Sequence, residues 1–562
     1  MNLNHFFFFS IIYLLLKLIN GRYVENDDNH YLIYVNNTYG MIPENNGYQK
    51  RQEPQQFVNL VMEEIQQLII NNKNTYKNLE ELEGLEEKNK GIKKRNNSSE
   101  IKYVYQISSL DDISVLSSYF SYDINEKVNT IPGVLGSEPK RIIKMVSPSE
   151  RSIPIEGNKV KREYINEGEK NDDNINKIKL ETGWKDVEIR KNSDLHLSIL
   201  SQGYFNDTGD YDSNYYYPKS AGEDIDIYVI DTGFDFRNPE FTNKEGEVKC
   251  LGIIKKGIFT ESESDDHCLY DIYDYEMYHG TNISNCAAGL NHGVANKANI
   301  YGLVLDDEII TYQGAISTEL FILAFDYILN DIPMRPHKSI INMSWGDSIP
   351  IDDHLYIDYL QKIFEKFNEK GIVVITSAGN ENEPVIDSEM EYIDLPCALD
   401  NVLCVGAVDS STYDSFYEKA YFSNFGDQVN IYGPGYINVE HDVHIVSGTS
   451  YASPVVAGVA ATVMSEHPEI QFNTKFMIDY LTKNGIKDVI SGIPEGNNVL
   501  VNNGKKSINS ELFNQNGEIA TIDSTFDSGY KSNTPKVFNH AIKKYLIIIK
   551  YLILIKIIMD IR

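Results

Sequence analysis

The run Val455-Val456-Ala457-Gly458-Val459-Ala460-Ala461 most constrains what this chain can fold into. A small-residue stretch with no polar face cannot lie on a surface, so it reads as a helix buried on every side. Directly before it stand Ser447-Gly448-Thr449-Ser450-Tyr451-Ala452-Ser453-Pro454. A serine in a Gly-flanked turn that opens a helix sits at the positive end of the helix dipole. Its backbone N–H points to where an oxyanion would form. The ordinary use of such a serine is a helix N-cap. Its chemical use is as a nucleophile, provided a base and an orienting carboxylate lie elsewhere in the chain.

Both occur upstream. Ile225 to Ile230 is an apolar, β-rich run that ends in Asp231-Thr232-Gly233. Asp231 therefore stands at the carboxyl end of a buried strand, where open α/β sheets bind ligands. His279-Gly280-Thr281 leads into Ile283, Cys286, Ala287, Ala288 and Gly289, which read as the first turns of a buried helix. Gly371 to Thr376 reads as another buried strand, and Ser377-Ala378-Gly379-Asn380 as the turn that leaves it. The Asn380 side-chain amide there is the candidate second oxyanion donor; its ordinary alternative is a turn asparagine. The strand–helix alternation predicts an α/β three-layer sandwich with a mainly parallel sheet.

With Ile341-Asn342-Met343-Ser344, Val405-Gly406-Ala407, Phe422-Ser423-Asn424-Phe425-Gly426 and Gly433-Pro434-Gly435, these motifs follow one another in a known order. The chain resembles the subtilisin-family (subtilase) serine proteases, and most of all the fungal proteinase K-like branch, over roughly residues 184 to 503. The resemblance implies a subtilisin-like fold preceded by a small α+β prodomain. It makes Ser450 the nucleophile, His279 the general base, Asp231 its orienting carboxylate and Asn380 an oxyanion donor. It also implies that protein or peptide substrates pair as added strands with Ser344-Trp345-Gly346 and Ser377-Ala378-Gly379. Trp345 stands where relatives carry Leu and is expected to add apolar surface to the cleft wall; the alternative is that it packs in the core.

No cofactor is implied for the chemistry. Relatives often hold a structural calcium with an Asp where this chain has Asn430, a neutral ligand, so calcium there is a weak expectation. His279-Gly280-Thr281 is followed by Asn282-Ile283-Ser284-Asn285, and Asn285 puts a polar side chain where the family helix packs closely.

The chain has 562 residues and a net charge of −31. That charge repels phosphates and excludes nucleic acid as a partner. Residues 1–21 read as a signal peptide, with an apolar run from Phe6 to Leu16. Residues 22–162 read as a propeptide that acts as intramolecular inhibitor, with strands at Tyr31–Val35 and Ile101–Ile107, a helix at Val115–Phe120 and a polar helix or disordered insert from Tyr48 to Ser99. Residues 163–183 read as an acidic linker, with cleavage expected at Lys161-Arg162 or nearer Asn192. The peptidase domain is placed at 184–503 and a tail with a basic-apolar end at 504–562, where Lys550 and Lys556 interrupt an apolar run that suits weak membrane contact. Five cysteines suit a secreted or extracellular protein with two disulfides, Cys250–Cys268 and Cys397–Cys404 by proximity, and a packed Cys286 thiol. A vacuole or another secretory-pathway lumen is the alternative location. Glycosylation acceptors occur at Asn36, Asn96, Asn97, Asn206, Asn282 and Asn342, the last two expected to be buried. Two other functions remain open: a catalytically silent subtilase-like peptide-binding protein, and an esterase, which the absence of a Gly-x-Ser-x-Gly elbow at Ser450 disfavours.

Overall fold

The computed structural model describes residues 28–39, 54–84, 103–144, 153–154, 171–203, 213–255, 258–268, 279–306, 315–410, 417–440 and 444–507. The proposed signal peptide and nearly all of the C-terminal tail lie outside these residues.

A ten-stranded sheet organises the larger part. Its spatial order is Ile258–Glu261, Val248–Lys255, Asn299–Asp306, Asp226–Asp231, Ser339–Met343, Val373–Ser377, Leu403–Val408, Ile431–Pro434, Val499–Leu500, Ile486–Lys487. Every pairing is parallel except those of the two outermost strands. Alternate side chains explain why these strands read as unbroken apolar runs. Tyr228 and Ile230 join one hydrophobic cluster with the helices Thr318–Asp331 and His354–Glu369. Ile227 and Val229 join another with the helices His279–Ala288, Thr449–Glu466 and Thr474–Asn484. The result is the expected three-layer α/β sandwich.

The strand Asp226–Asp231 lies where the chain reverses its direction of travel across the sheet. From it the chain moves to one side through Val248–Lys255 and Asn299–Asp306, then crosses to the other through Ser339–Met343. The crevice at the carboxyl end of such a strand is open to a ligand, and Asp231 is its last residue.

The N-terminal part is a four-stranded antiparallel sheet in the order Val104–Leu110, Ile113–Phe120, Asn29–Asn36, Val134–Pro139, with helices Pro54–Asn71 and Tyr122–Val128. One expectation is corrected here. Val115–Phe120 belongs to a strand, not a helix: it is buried on both faces and paired on both edges, so its buried serines settle among strand neighbours, as in the Ser118 hydroxyl bond to the Tyr103 carbonyl. Of the two alternatives for the polar insert, the helix is present at Pro54–Asn71, and it is amphipathic, with a buried face of Val58, Val61, Met62, Ile65 and Ile69. Within residues 163–183, Asn171–Thr182 is helical, Ile178 packs with Trp184, and Glu181 accepts the backbone N–H groups of Lys506 and Ser507.

Both disulfides form as paired by proximity, and Cys286 is a buried free thiol whose pKa burial pushes up. Asn342 is fully buried, unlike a glycosylated asparagine, whereas Asn282 is half-buried rather than fully buried as expected. Among the described residues no helix is long and apolar enough to cross a membrane.

The loop that follows the His279 helix is fastened from outside. Arg190 donates to the carbonyls of Asn291 and Gly293, and His292 Nδ1 lies 2.5 Å from Asp194 Oδ2. Burial would depress the His292 pKa, but the Asp194 carboxylate, reinforced by Glu240, outweighs burial and raises it above 6.5. Asp194 is lowered below 3.8, its own burial being outweighed by His292. A raised histidine contributes stability that is complete below its unfolded pKa and is lost as pH rises through the folded one. The stability difference between wild type and His292→Gln is therefore expected to be largest between about pH 4 and 6.5 and to shrink above that, as read from thermal melts across pH.

Candidate active site

Asp231 and His279 meet at the centre of the crevice. His279 Nδ1 lies 2.9 Å from both carboxylate oxygens of Asp231, and both side chains are buried. Asp231 Oδ1 also accepts the Thr232 backbone N–H at 2.7 Å and the Thr232 hydroxyl at 3.2 Å, so the carboxylate cannot rotate. An acceptor-only group facing Nδ1 makes that nitrogen the protonated one and leaves Nε2 as the basic atom. The close approach requires Gly280: a Cβ there would meet the Gly233 carbonyl at 2.4 Å and Asp231 Cβ at 2.9 Å.

Ser450 is the second residue of the helix Thr449–Glu466, buried almost throughout. The ring of the next residue, Tyr451, stands edge-on to the His279 imidazole at 5.8 Å, which brings the helix start against that imidazole. Pro454 supplies no N–H to the Ser450 carbonyl; the Ser453 hydroxyl donates to that oxygen instead, at 3.4 Å.

Asn380 follows the strand Val373–Ser377 and is nine-tenths buried. Its Oδ1 accepts the Thr449 N–H at 2.8 Å and the Thr449 hydroxyl at 3.0 Å. With the oxygen occupied, the amide NH2 is turned the other way. A Cβ placed on Gly448 would lie 3.6 Å from both Asn380 Nδ2 and Ser450 N. The two donors thus flank one space that glycine leaves open. Thr449 was not singled out from sequence, although it lies within the Ser450 motif; its role becomes legible only once Asn380 is beside it.

Of the substrate-binding candidates, Ser344 is buried with its hydroxyl 3.0 Å from that of Ser453. Gly346 sits against the Leu395 carbonyl, and Gly379 N–H donates to Thr449 Oγ1 at 3.2 Å. Ala378 is tied by its N–H to the Val405 carbonyl, beside buried Ser377. Trp345 departs from the cleft-wall expectation: its indole N–H donates to the Ile230 carbonyl at 2.8 Å and its ring meets Phe321 edge-on, so it fastens two strand ends inside the core. Asn430 Oδ1 accepts the Cys404 N–H at 2.8 Å, and among the described residues no group of three His, Cys, Asp or Glu side chains gathers to hold a metal.

A family profile decides the lineage: that of the peptidase S8 subtilase family matches residues 222–503, half of the chain. The chain belongs to the subtilase family. It is 29% identical over 355 residues to alkaline protease 2 of Aspergillus fumigatus, covering 60% of this chain and 62% of that protein. It is 30% identical over 312 residues to subtilisin-like protease 3 of Trichophyton tonsurans, covering 54% of this chain and 65% of that protein. The match thus spans less than two thirds of these relatives' length. Among solved structures, a cold adapted subtilisin-like serine proteinase aligns with 23% identity and a TM-score of 0.42, over 56% of this chain and 99% of that one.

The approach of the His279 helix to the Asp231 turn is testable without any substrate. Gly280→Ala is expected to lower stability by about 1–3 kcal/mol, because the added methyl must part backbone from backbone. It should also lengthen the Asp231–His279 hydrogen bond, read as loss or upfield movement of the Nδ1 proton resonance.

Proposed function

We propose that this subtilase is a secreted serine endopeptidase. The observation that carries the reading is the buried Asp231–His279 pair beside a helix start whose N–H and the Asn380 amide flank one open space. Ser450 Oγ attacks the peptide carbonyl while His279 Nε2 takes its proton. Asp231 stabilises the imidazolium and keeps it oriented. The negative oxygen of the tetrahedral intermediate lies between Asn380 Nδ2 and Ser450 N–H. His279 then returns the proton to the departing amine, and water releases the acyl group by the same steps in reverse order. The substrate backbone pairs with Ser344-Trp345-Gly346 and Ser377-Ala378-Gly379, an arrangement that reads main chain before side chain.

Fluorophosphonate labelling of the processed protein tests this. Labelling is expected in wild type and absent in Ser450→Ala; an unlabelled wild type would instead mark a peptide-binding protein without catalysis. Asn380→Leu is expected to lower kcat by about 10²–10³ with KM little changed, a magnitude that comes from subtilisin, itself a member of this family.

The N-terminal sheet acts in this reading as the intramolecular inhibitor. It packs on the helices Thr318–Asp331 and His354–Glu369 through Tyr34 against Tyr359, Ser108 to Asp326 at 2.7 Å, and Arg141 to Asp353. Glu138 accepts the N–H groups of Leu355 and Tyr356 at the start of the second helix. The chain then continues as Ile142–Lys144, antiparallel to Ala315–Ser317, and as Ile153–Pro154, antiparallel to the strand His444–Ser447 that leads into Ser450. These two anchors support self-cleavage between Lys144 and Ile153, upstream of both Lys161-Arg162 and Asn192. N-terminal sequencing of the processed product is expected to start within that interval in wild type, and Ser450→Ala should remain uncut there.

A further inference from the structure

Lys419 is a buried lysine. It is 7% exposed, and no acidic side chain among the described residues pairs with it. An ammonium deprived of water is costly unless each N–H is used. Here each is: Nζ lies 2.8 Å from Asn382 Oδ1, 2.8 Å from the Ser423 carbonyl and 3.1 Å from the Ala420 carbonyl. The Phe425 ring covers it from another side, 5.7 Å from Nζ to the centroid. Burial lowers the pKa of the ammonium.

These oxygens belong to two segments. Ala420 and Ser423 lie in the loop that runs on to Gly426; Asn382 lies in the turn that carries Asn380. The same loop grips the same turn through Asn424, whose Oδ1 accepts the N–H groups of Glu381 and Glu383 at 3.0 and 3.1 Å and whose own N–H donates to the Gly379 carbonyl. The Asn382 N–H donates to the Phe422 carbonyl at 2.8 Å. Thr449 thus holds the Asn380 turn on one side, and the loop folded around Lys419 Nζ holds it on the other.

We propose that the Lys419 ammonium is a built-in cation that draws this loop together and so sets the position of the Asn380 amide, making Lys419 a positioning residue for the oxyanion donor. The catalytic half of this inference rests on the serine endopeptidase reading; the mechanical half does not. Without the charge, the carbonyls of Ala420 and Ser423 no longer converge, Asn424 shifts with them, and the amide moves off the point it shares with the Ser450 N–H. An oxyanion donor that is present but displaced loses transition-state stabilisation and leaves substrate binding largely intact.

Two variants test this on the processed full protein. Lys419→Met keeps the stem and removes the charge. Asn382→Gly removes only the acceptor, and glycine accepts the local backbone, whose φ is +58°. Amide hydrogen exchange by mass spectrometry is expected to speed up by about tenfold or more at residues 380–383 in each variant, whatever the activity. In the same samples, kcat on a peptide substrate should fall about tenfold with KM within about twofold of wild type, and the double variant should be no worse than the poorer single one. Lys419→Arg, which restores a cation, should recover part of the loss. Unchanged exchange in Asn382→Gly overturns the proposal even where Lys419→Met does not fold. Faster exchange with kcat unchanged overturns the catalytic half. Faster exchange in a wild-type background that no fluorophosphonate labels retains the mechanical half and removes the endopeptidase reading instead.

Discussion

The imidazole N–H of His279 shared between two oxygens of Asp231 is the interaction on which the rest of the site depends. A carboxylate buried to this degree is tolerable only while its charge is met by donors, and three converge on it: the Thr232 N–H, the Thr232 hydroxyl and His279 Nδ1. That requirement reaches outward through the fold. The strand carrying Asp231 must end at the switch point of the sheet, the helix carrying His279 must start within one glycine's reach of it, and both faces of the strand must be sealed by helices so that water does not compete. Gly280 is where these demands collide, since any side chain there would strike the turn after Asp231.

A second set of bonds carries the oxyanion-stabilising half of the proposed chemistry. Asn380 is held by its oxygen, not its nitrogen, so the amide donor is aimed by default rather than by a partner it would have to release. This is preorganisation in its simplest form: the group that would stabilise developing charge makes its structural bonds with the atom the reaction does not use. The loop around Lys419 extends the same logic one layer further out, with a charge that never meets substrate.

Much of this was legible in the sequence because the relevant residues sit at ends of strongly patterned elements. Asp231 closes an apolar strand, His279 and Ser450 open small-residue helices, and Asn380 follows a buried strand; burial on both faces erases alternation and makes such elements easy to find. What escaped detection had no local signature. Thr449 and Lys419 act on partners about seventy and thirty-seven residues away in sequence, and nothing in their neighbours announces it. Trp345 looked like a cleft residue because its backbone stands in the right motif, yet its indole found a carbonyl to bond inside the core. Val115–Phe120 looked helical because a strand buried on both faces and rich in serine shows neither the alternation of a half-exposed strand nor a clear 3.6-residue period.

The N-terminal sheet is joined to the larger part by a mixture of forces that separation would affect unequally. Its contact with the helices Thr318–Asp331 and His354–Glu369 merges into one hydrophobic cluster, a contribution that pH leaves untouched. Alongside it, Glu138 caps the second helix while buried enough that its pKa is pushed up to about 7, burial outweighing the two N–H bonds it accepts. A carboxyl whose pKa docking raises contributes fully below its undocked value, and that contribution is lost as pH rises through the raised one. Lys362 to Asp112 and Arg141 to Asp353 are ion pairs across the same boundary, and Asp112 is lowered by Lys362, so that pair favours docking until strongly acid pH. The apolar contact is therefore insensitive to pH, the Lys362–Asp112 pair resists acid, and the Glu138 contribution declines as the medium turns from mildly acidic to neutral.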